Sequence, residues 1–385
     1  MARKRPNSKG KSKRRVKHWT SQYTEGHDLD RHNLPQTYSK TGIKLREDAA
    51  ADAAYDPEDC FRGMVAGVFR RGIFVRPDGS NEMRFCGIAK TFRPPEDFGH
   101  TSAITVGDFV IVARPDEKYS SGQLQLDRNR SEGVILSREA RTSVLSRPAP
   151  RSEKRNDEYA SQPAQEKVIA ANMDTLLIVV AVAQPAMRRE LVERFLIAAE
   201  RGGLQPILAV NKIDLGDPPA DWIADWTARG VKIVMMSAAT GEGTAELLHM
   251  LEGHRAVLAG ASGVGKSTFV NAVIPEAQAA TREVRGKDDR GRHTTSQSRM
   301  YDVPGDGLLV DTPGIRELGV NIPLEQVGWY FPEFEPFAQQ CKFRNCTHIH
   351  EPNCQVQAAV ENGDLPAHRF QSYLRLRQTL EGKSF

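Results

Sequence analysis

Hydrophobic and polar positions divide the chain into stretches of different period. Residues 1–59 are polar and show no sustained periodicity, so they are read as a mostly disordered arm. From 60 to 147 the pattern changes to short runs rich in β-branched and aromatic residues, at 64–69, 73–76, 83–86 and 109–113. Turn residues punctuate them at Pro77-Asp78-Gly79-Ser80 and Val106-Gly107-Asp108. Several short strands in one small region predict a β-barrel of the OB-fold kind. Residues 148–167 are polar, with Pro, Ser and charges, and read as a linker.

Beyond Asp174 the period alternates between 2 and 3.6. Apolar strands are expected at 176–183, 206–210, 231–236, 256–259 and 308–310, and helices at 189–201, 221–229, 244–251 and 266–273. Alternating strands and helices over 168–320 predict an α/β core with a parallel, doubly wound sheet. Residues 321–385 leave that pattern and read as an α-rich C-terminal domain, with an amphipathic helix at 369–380. The expected fold is multidomain: barrel, α/β core, and a small C-terminal module.

Five short motifs of the core carry chemistry. Gly260-Ala261-Ser262-Gly263-Val264-Gly265-Lys266-Ser267, followed by Thr268, matches a phosphate loop between a strand and a helix. Its glycines let consecutive backbone N–H groups curl around phosphates, and the helix N-terminus adds partial positive charge. Lys266 is expected on the β/γ-phosphates and Ser267 on Mg²⁺. Asn211-Lys212-Ile213-Asp214 follows another strand and reads as a guanine loop. The Asp214 carboxylate can accept from guanine N1–H and its 2-amino group, which adenine lacks. Asn211 is expected on the major-groove edge of the base and the Lys212 stem over its face. Ser237-Ala238 suits a backbone contact to guanine O6. Asp311-Thr312-Pro313-Gly314 suits the γ-phosphate switch, with Asp311 on Mg²⁺ through water and the Gly314 N–H as sensor. In Gly291-Arg292-His293-Thr294-Thr295 one threonine can complete the Mg²⁺ shell, and Thr294 is preferred over Thr295. Ile315 stands where Ras-like enzymes carry the Gln that orients water, so another group must act, and His293 is nearest in sequence. The guanine loop precedes the phosphate loop, the reverse of an ordinary GTPase, so the chain reads as circularly permuted.

Charge changes the picture at the N-terminus. Net charge is +4 overall, but residues 1–46 carry +10 and the remainder −6. A basic arm on a mildly acidic body suggests a polyanion partner such as nucleic acid. In the barrel region, Phe69-Arg70-Arg71-Gly72-Ile73-Phe74-Val75-Arg76 and Lys90-Thr91-Phe92-Arg93 interleave aromatics and cations, as base stacking and phosphate contact require. No run approaches the ~18 apolar residues of a membrane span, and the basic start lacks the apolar core of a secretory signal. Five cysteines, three of them close together, suit metal better than disulfides and fit a reducing, cytoplasmic compartment. Cys341, Cys346, His348 and Cys354 make a closed set for one structural Zn²⁺, with His350 as a rival to His348.

The order of these loops, with the Cys341–Cys354 cluster behind them, resembles the RsgA (YjeQ/YloQ) family of small ribosomal subunit biogenesis GTPases over about residues 60–380. The resemblance implies an OB barrel, a permuted GTPase core and a zinc domain. It implies a GTP hydrolase that binds the small ribosomal subunit and its rRNA late in maturation and is stimulated there, converting GTP to GDP and phosphate with Mg²⁺. It further implies that His293 is the catalytic histidine and that Cys341, Cys346, His348 and Cys354 hold zinc. A cytoplasmic monomer without membrane contact is expected. One rival reading is an rRNA-binding translation regulator that uses GTP only as a binding switch. Another is a non-ribosomal RNA-binding zinc protein with a vestigial nucleotide site.

Overall fold

The computed structural model describes residues 59–69, 72–95, 102–114, 132–148, 166–274, 298–312, 315 and 319–382. The first five strands are β1 (Cys60–Phe69), β2 (Gly72–Pro77), β3 (Arg84–Ile88), β4 (Phe109–Ala113) and β5 (Gly133–Arg138). They close into a barrel in the order β1-β2-β3-β5-β4. Its interior is Val65, Ile73, Val75, Cys86, Val110, Val112 and Ile135, supplied by inward positions of the strands. Closure removes the free edges that an open sheet of this size would expose.

The next pair, β6 (Val144–Pro148) and β7 (Glu166–Ala171), is antiparallel, with Pro148 opposite Glu166 and Arg147 opposite Lys167. The two flanks of the expected linker therefore pair with each other. Residues 149–165 themselves lie outside the described residues. Buried polar bonds fasten the barrel to the segments flanking this strand pair. Arg141 donates to both oxygens of Asp108 at 2.7 and 2.8 Å. Asn172 donates to the Gly107 carbonyl at 2.9 Å and accepts the Thr142 N–H at 2.8 Å.

The core follows as β8 (Thr175–Ala181), α1 (Arg189–Gly202), β9 (Gln205–Asn211), α2 (Ala220–Ala228), β10 (Lys232–Met235), α3 (Thr244–Leu251), β11 (Arg255–Ala259), α4 (Lys266–Val273), β12 (Arg299–Val303) and β13 (Gly307–Asp311). The sheet order is β10-β9-β8-β11-β13-β12. All pairings are parallel except β12 with β13. The unbroken apolar run of β8 is explained by two covered faces. Leu176, Ile178 and Val180 enter the cluster under α1, whereas Leu177, Val179 and Ala181 enter the one under α3 and α4. The antiparallel β12, like β5, β6 and β7, is an element the sequence pattern did not predict. It also meets the barrel, where Arg76 pairs with Asp302.

The C-terminal part contains α5 (Glu335–Ala338), α6 (Gln355–Asn362) and α7 (Ala367–Leu380), preceded by 3-10 turns. It has no separate core. Val327, Phe331, Phe334, Val356, Tyr373 and Leu376 belong to the same buried cluster as Leu191, Val192 and Phe195 of α1. Hydrophobic packing is thus continuous across the expected boundary at residue 320.

Candidate functional site

Parallel strands place their carboxyl ends on one edge of the sheet, and in open α/β sheets that edge binds ligands. Here β9 ends at Asn211, β10 leads to Ser237, β11 leads to Gly260 and β13 ends at Asp311. The topology thus brings the phosphate loop, the guanine loop, Ser237-Ala238 and Asp311 to a single edge.

The phosphate loop is a backbone cradle. Gly260 has φ 141°, and a Cβ there would sit 2.2 Å from the Val179 carbonyl oxygen. Gly265 has φ 99°, and its Cβ would lie 2.1 Å from Asn211 Nδ2. Only glycine fits either position. The N–H groups of Ser262, Gly263, Val264 and Gly265 have no acceptor among the described residues, which leaves a nest of donors at the start of α4. Lys266 Nζ folds back onto the Gly260 and Ala261 carbonyls, at 2.7 Å each. Ser267 and Thr268 are exposed in the first turn of the helix, and Val264 is buried beneath it.

Asn211 is 2% exposed. Its Nδ2 donates to the Val264 carbonyl at 2.8 Å, and its Oδ1 accepts the Ala238 N–H at 2.9 Å. One side chain therefore staples the guanine loop to both neighbours and keeps one amide hydrogen for a base. The Ala238 N–H, expected on guanine O6, has Asn211 as its partner in this arrangement. The next N–H, of Ala239, has no acceptor among the described residues. Asp214 is exposed, and the buried Ser237 hydroxyl donates to its Oδ1 at 2.6 Å, which orients the carboxylate. Lys212, at φ 63°, donates from Nζ to the Gln184 carbonyl.

Asp311 lies mostly buried at the end of β13. Burial pushes its carboxyl above the ordinary value, opposed by the charges of Lys266 and Arg299. A carboxylate poised between burial and nearby cations is a donor suited to a divalent ion. Ile315 is 2% exposed and lies in the core cluster, and its carbonyl accepts the Gly260 N–H at 3.2 Å. Its side chain faces protein rather than the nucleotide edge. His293, Thr294, Thr295 and Gly314 lie outside the described residues.

The second site is the cysteine cluster. The ligand atoms of Cys341, Cys346, His348 and Cys354 all lie within 4.8 Å of one another. His348 Nδ1 is 3.4 Å from Cys354 Sγ and 3.7 Å from Cys341 Sγ, and those two sulfurs are 3.9 Å apart. Tetrahedral zinc with ~2.3 Å bonds to sulfur and ~2.0 Å bonds to nitrogen has ligand–ligand edges of roughly 3.5–3.8 Å. The donor set and its spacing fit that ion. His350 is exposed and outside the cluster. Burial pushes the Cys346 thiol up to about 12 and raises Cys354 as well, while burial lowers His348. A bound cation would reverse the thiol shifts.

Glu351 builds the loop under these ligands. Its carboxylate accepts from the Thr347 N–H at 2.8 Å, the Thr347 hydroxyl at 2.6 Å and the Ile349 N–H at 3.2 Å. Tyr373 of α7 donates to the Thr347 carbonyl at 2.6 Å. Neither residue was singled out from sequence. The only local signal for Glu351 is an acid three positions after His348.

Comparison with known proteins agrees with this geometry. A family model described as RsgA GTPase matches residues 139–321. The chain is 38% identical over 285 residues to the small ribosomal subunit biogenesis GTPase RsgA of Gemmatimonas aurantiaca, covering 73% of this chain and 86% of that protein. The solved structure of YjeQ from Thermotoga maritima matches with a TM-score of 0.57 at 28% identity, covering 84% of this chain and 100% of that one. The structure of YloQ, described as a circularly permuted GTPase, matches in fold with a TM-score of 0.56 at 23% identity, covering 86% and 99%. With the barrel, the permuted loop order and the cysteine cluster in place, the chain belongs to the RsgA family of GTPases.

Proposed function

We propose that the chain hydrolyses GTP while bound to the small ribosomal subunit during its maturation, and that the subunit stimulates the reaction. The observation that carries this reading is the open donor nest at Ser262–Gly265, with Lys266 folded onto its own loop and the oriented carboxylate of Asp214 on the same sheet edge. The nest binds the phosphates and Lys266 turns from its own loop carbonyls to the β/γ-phosphates. Asp214 selects guanine, Asn211 and Lys212 hold the base, and the Ser237–Ala239 turn offers a backbone donor to O6. Ser267, Thr294 and Asp311 are the residues that would hold Mg²⁺, which supplies charge neutralisation of the phosphates when bound. Gly314 senses the γ-phosphate and His293 orients the attacking water. The buried Ile315 side chain leaves that role vacant.

Cys341, Cys346, His348 and Cys354 would hold one zinc, and four protein ligands would give it a structural role. The rRNA of the subunit is the partner of the basic arm. No described helix is long and apolar enough to cross a membrane, and the chain works as a cytoplasmic monomer. The test is GTP hydrolysis by the purified chain alone, with small subunits and with large subunits. Stimulation by small subunits only is expected. Equal rates in all three would overturn the reading and leave GTP as a mere binding switch.

A further inference from the structure

The loop between Cys341 and Cys346 points Lys342, Phe343, Arg344 and Asn345 into solvent. Phe343 is 39% exposed, and Lys342 Nζ lies 5.6 Å from its ring centroid. The backbone under it is fixed. The Cys346 N–H donates to the Phe343 carbonyl at 3.1 Å, and the Cys341 N–H donates to the Ala338 carbonyl at 3.2 Å. Both ends of the loop are also members of the cysteine cluster.

Charge around this loop is uncompensated. The described arginines of α7 are all engaged: Arg369 with Glu193 and Glu333, Arg375 with Glu190, and Arg377 with the Leu324 carbonyl and Tyr373. Lys342 and Arg344 have no carboxylate partner among the described residues. Of the acids that flank it in sequence, Glu335 accepts from Gln339 Nε2, and Glu351 is spent on the turn at 347–350. An ordinary apolar partner would cover Phe343 but would have to strip water from two unpaired cations beside it. A chain of phosphates and flat bases satisfies all three side chains: cations to phosphates, ring to base.

We propose that this loop captures an unpaired nucleotide of RNA, with Phe343 stacked on the base and Lys342 and Arg344 on the flanking phosphates. The inference deepens the functional reading above, on which its choice of rRNA as natural partner rests.

The test uses the full chain and two probes: purified small subunits, and a labelled unstructured single-stranded RNA oligonucleotide. Phe343→Ala is expected to weaken binding of both by about five-fold or more, the range of a lost base–aromatic stack, while Phe343→Trp restores it. Lys342→Gln with Arg344→Gln is expected to flatten the salt dependence of oligonucleotide binding by about 1.4 in slope, at about 0.7 per phosphate contact. Metal content and GTP affinity, measured on each variant, should stay at wild-type values. Oligonucleotide binding within two-fold of wild type for Phe343→Ala overturns the proposal. So does loss of subunit binding with an unchanged salt slope and unchanged oligonucleotide affinity, which would mark a protein contact. Failure of the wild type to bind subunits would count against the ribosomal function alone, because the oligonucleotide arm still tests the loop.

Discussion

Arg369 Nη1 donates to Glu193 Oε2 at 2.6 Å, joining residues 176 positions apart, and both side chains are almost fully buried. Glu193 also accepts from Trp226 Nε1 and Arg229 Nη1, at 2.9 Å each. Arg369 reaches Glu333 as well. One carboxylate of α1 thus ties α2 and α7 together. A buried charge is costly unless its bonds are satisfied, so this cluster fixes how α7 sits on the GTPase core.

Removing one member should be expensive. Arg369→Leu leaves Glu193 and Glu333 short of a partner, and breaking a buried pair this way costs about 3–5 kcal/mol. Denaturant unfolding of the zinc-loaded protein measures it. Because the hydrophobic cluster is shared, tryptophan fluorescence and zinc release should report one transition in the wild type. A cost under about 1 kcal/mol would mean that the cluster has little structural weight.

The same carboxylate gives a pH signature. Burial alone would raise its pKa, but Arg369 and Arg229 outweigh burial and hold it below the ordinary 4.5. The folded value is lower than the unfolded one, so the stabilisation is full above about 4.5 and is lost as pH falls below it. The stability difference between wild type and Glu193→Gln should therefore shrink as pH drops from about 5 towards 3. A gap that stayed constant over that window would show that the charge of Glu193 contributes nothing.

The parts legible from sequence are those whose physics is local. Glycine spacing at Gly260, Gly263 and Gly265 specifies a phosphate cradle because backbone conformation is set residue by residue. The apolar run of β8 specifies a strand covered on both faces. Three cysteines and a histidine within 14 residues can meet around one ion. The parts that were not legible depend on distant partners. β12 reads Arg-Met-Tyr-Asp-Val, with too little alternation to mark an edge strand, and exists because it pairs with β13. The pairing of β6 with β7 spans the polar stretch that resembles a tether. Glu193 and Arg369 look like solvated helix charges until α7 is laid on α1. The sequence suggested a base contact for Asn211 but not its role as a staple, because its partners Val264 and Ala238 lie on other loops.

That staple makes Gly265 sensitive. With φ 99° and a Cβ site 2.1 Å from Asn211 Nδ2, Gly265→Ala must push Asn211 off the Val264 carbonyl. GTP and GDP affinity should both fall by at least about ten-fold, or ~1.4 kcal/mol, while the zinc content is retained. Nucleotide titration by fluorescence checks it. Affinity within a factor of about two of wild type would mean that the loops tolerate separation.

Base choice is proposed to rest on Asp214. Asp214→Asn should weaken GTP binding and improve binding of xanthosine nucleotides, because the new amide can donate to the base oxygen that replaces the 2-amino group. The Ser237 hydroxyl can still hold the remaining side-chain oxygen. Competition of GTP, xanthosine triphosphate and ATP for wild type and variant is the measurement. Equal affinity of the wild type for ATP and GTP would remove Asp214 from the recognition role.

The placement of water is proposed to fall to His293 because of how Ile315 is held. Ile315 occupies the sequence position where a Gln would orient water, yet its side chain is 2% exposed and packed in the core. Its carbonyl holds the Gly260 N–H. Ile315→Gln should therefore not create a Ras-like catalyst. It should bury an amide without partners and destabilise the chain by about 1–3 kcal/mol, with no gain in unstimulated hydrolysis. A rise in that rate would show that position 315 can reach the γ-phosphate. If Ile315 is structural, the catalytic burden falls elsewhere, and His293→Ala should leave GTP binding nearly intact while removing most subunit-stimulated turnover. Single-turnover hydrolysis with saturating small subunits separates binding from chemistry. Turnover that survived His293→Ala within a factor of about three, under ~0.7 kcal/mol of barrier, would exclude His293 as the group that positions water.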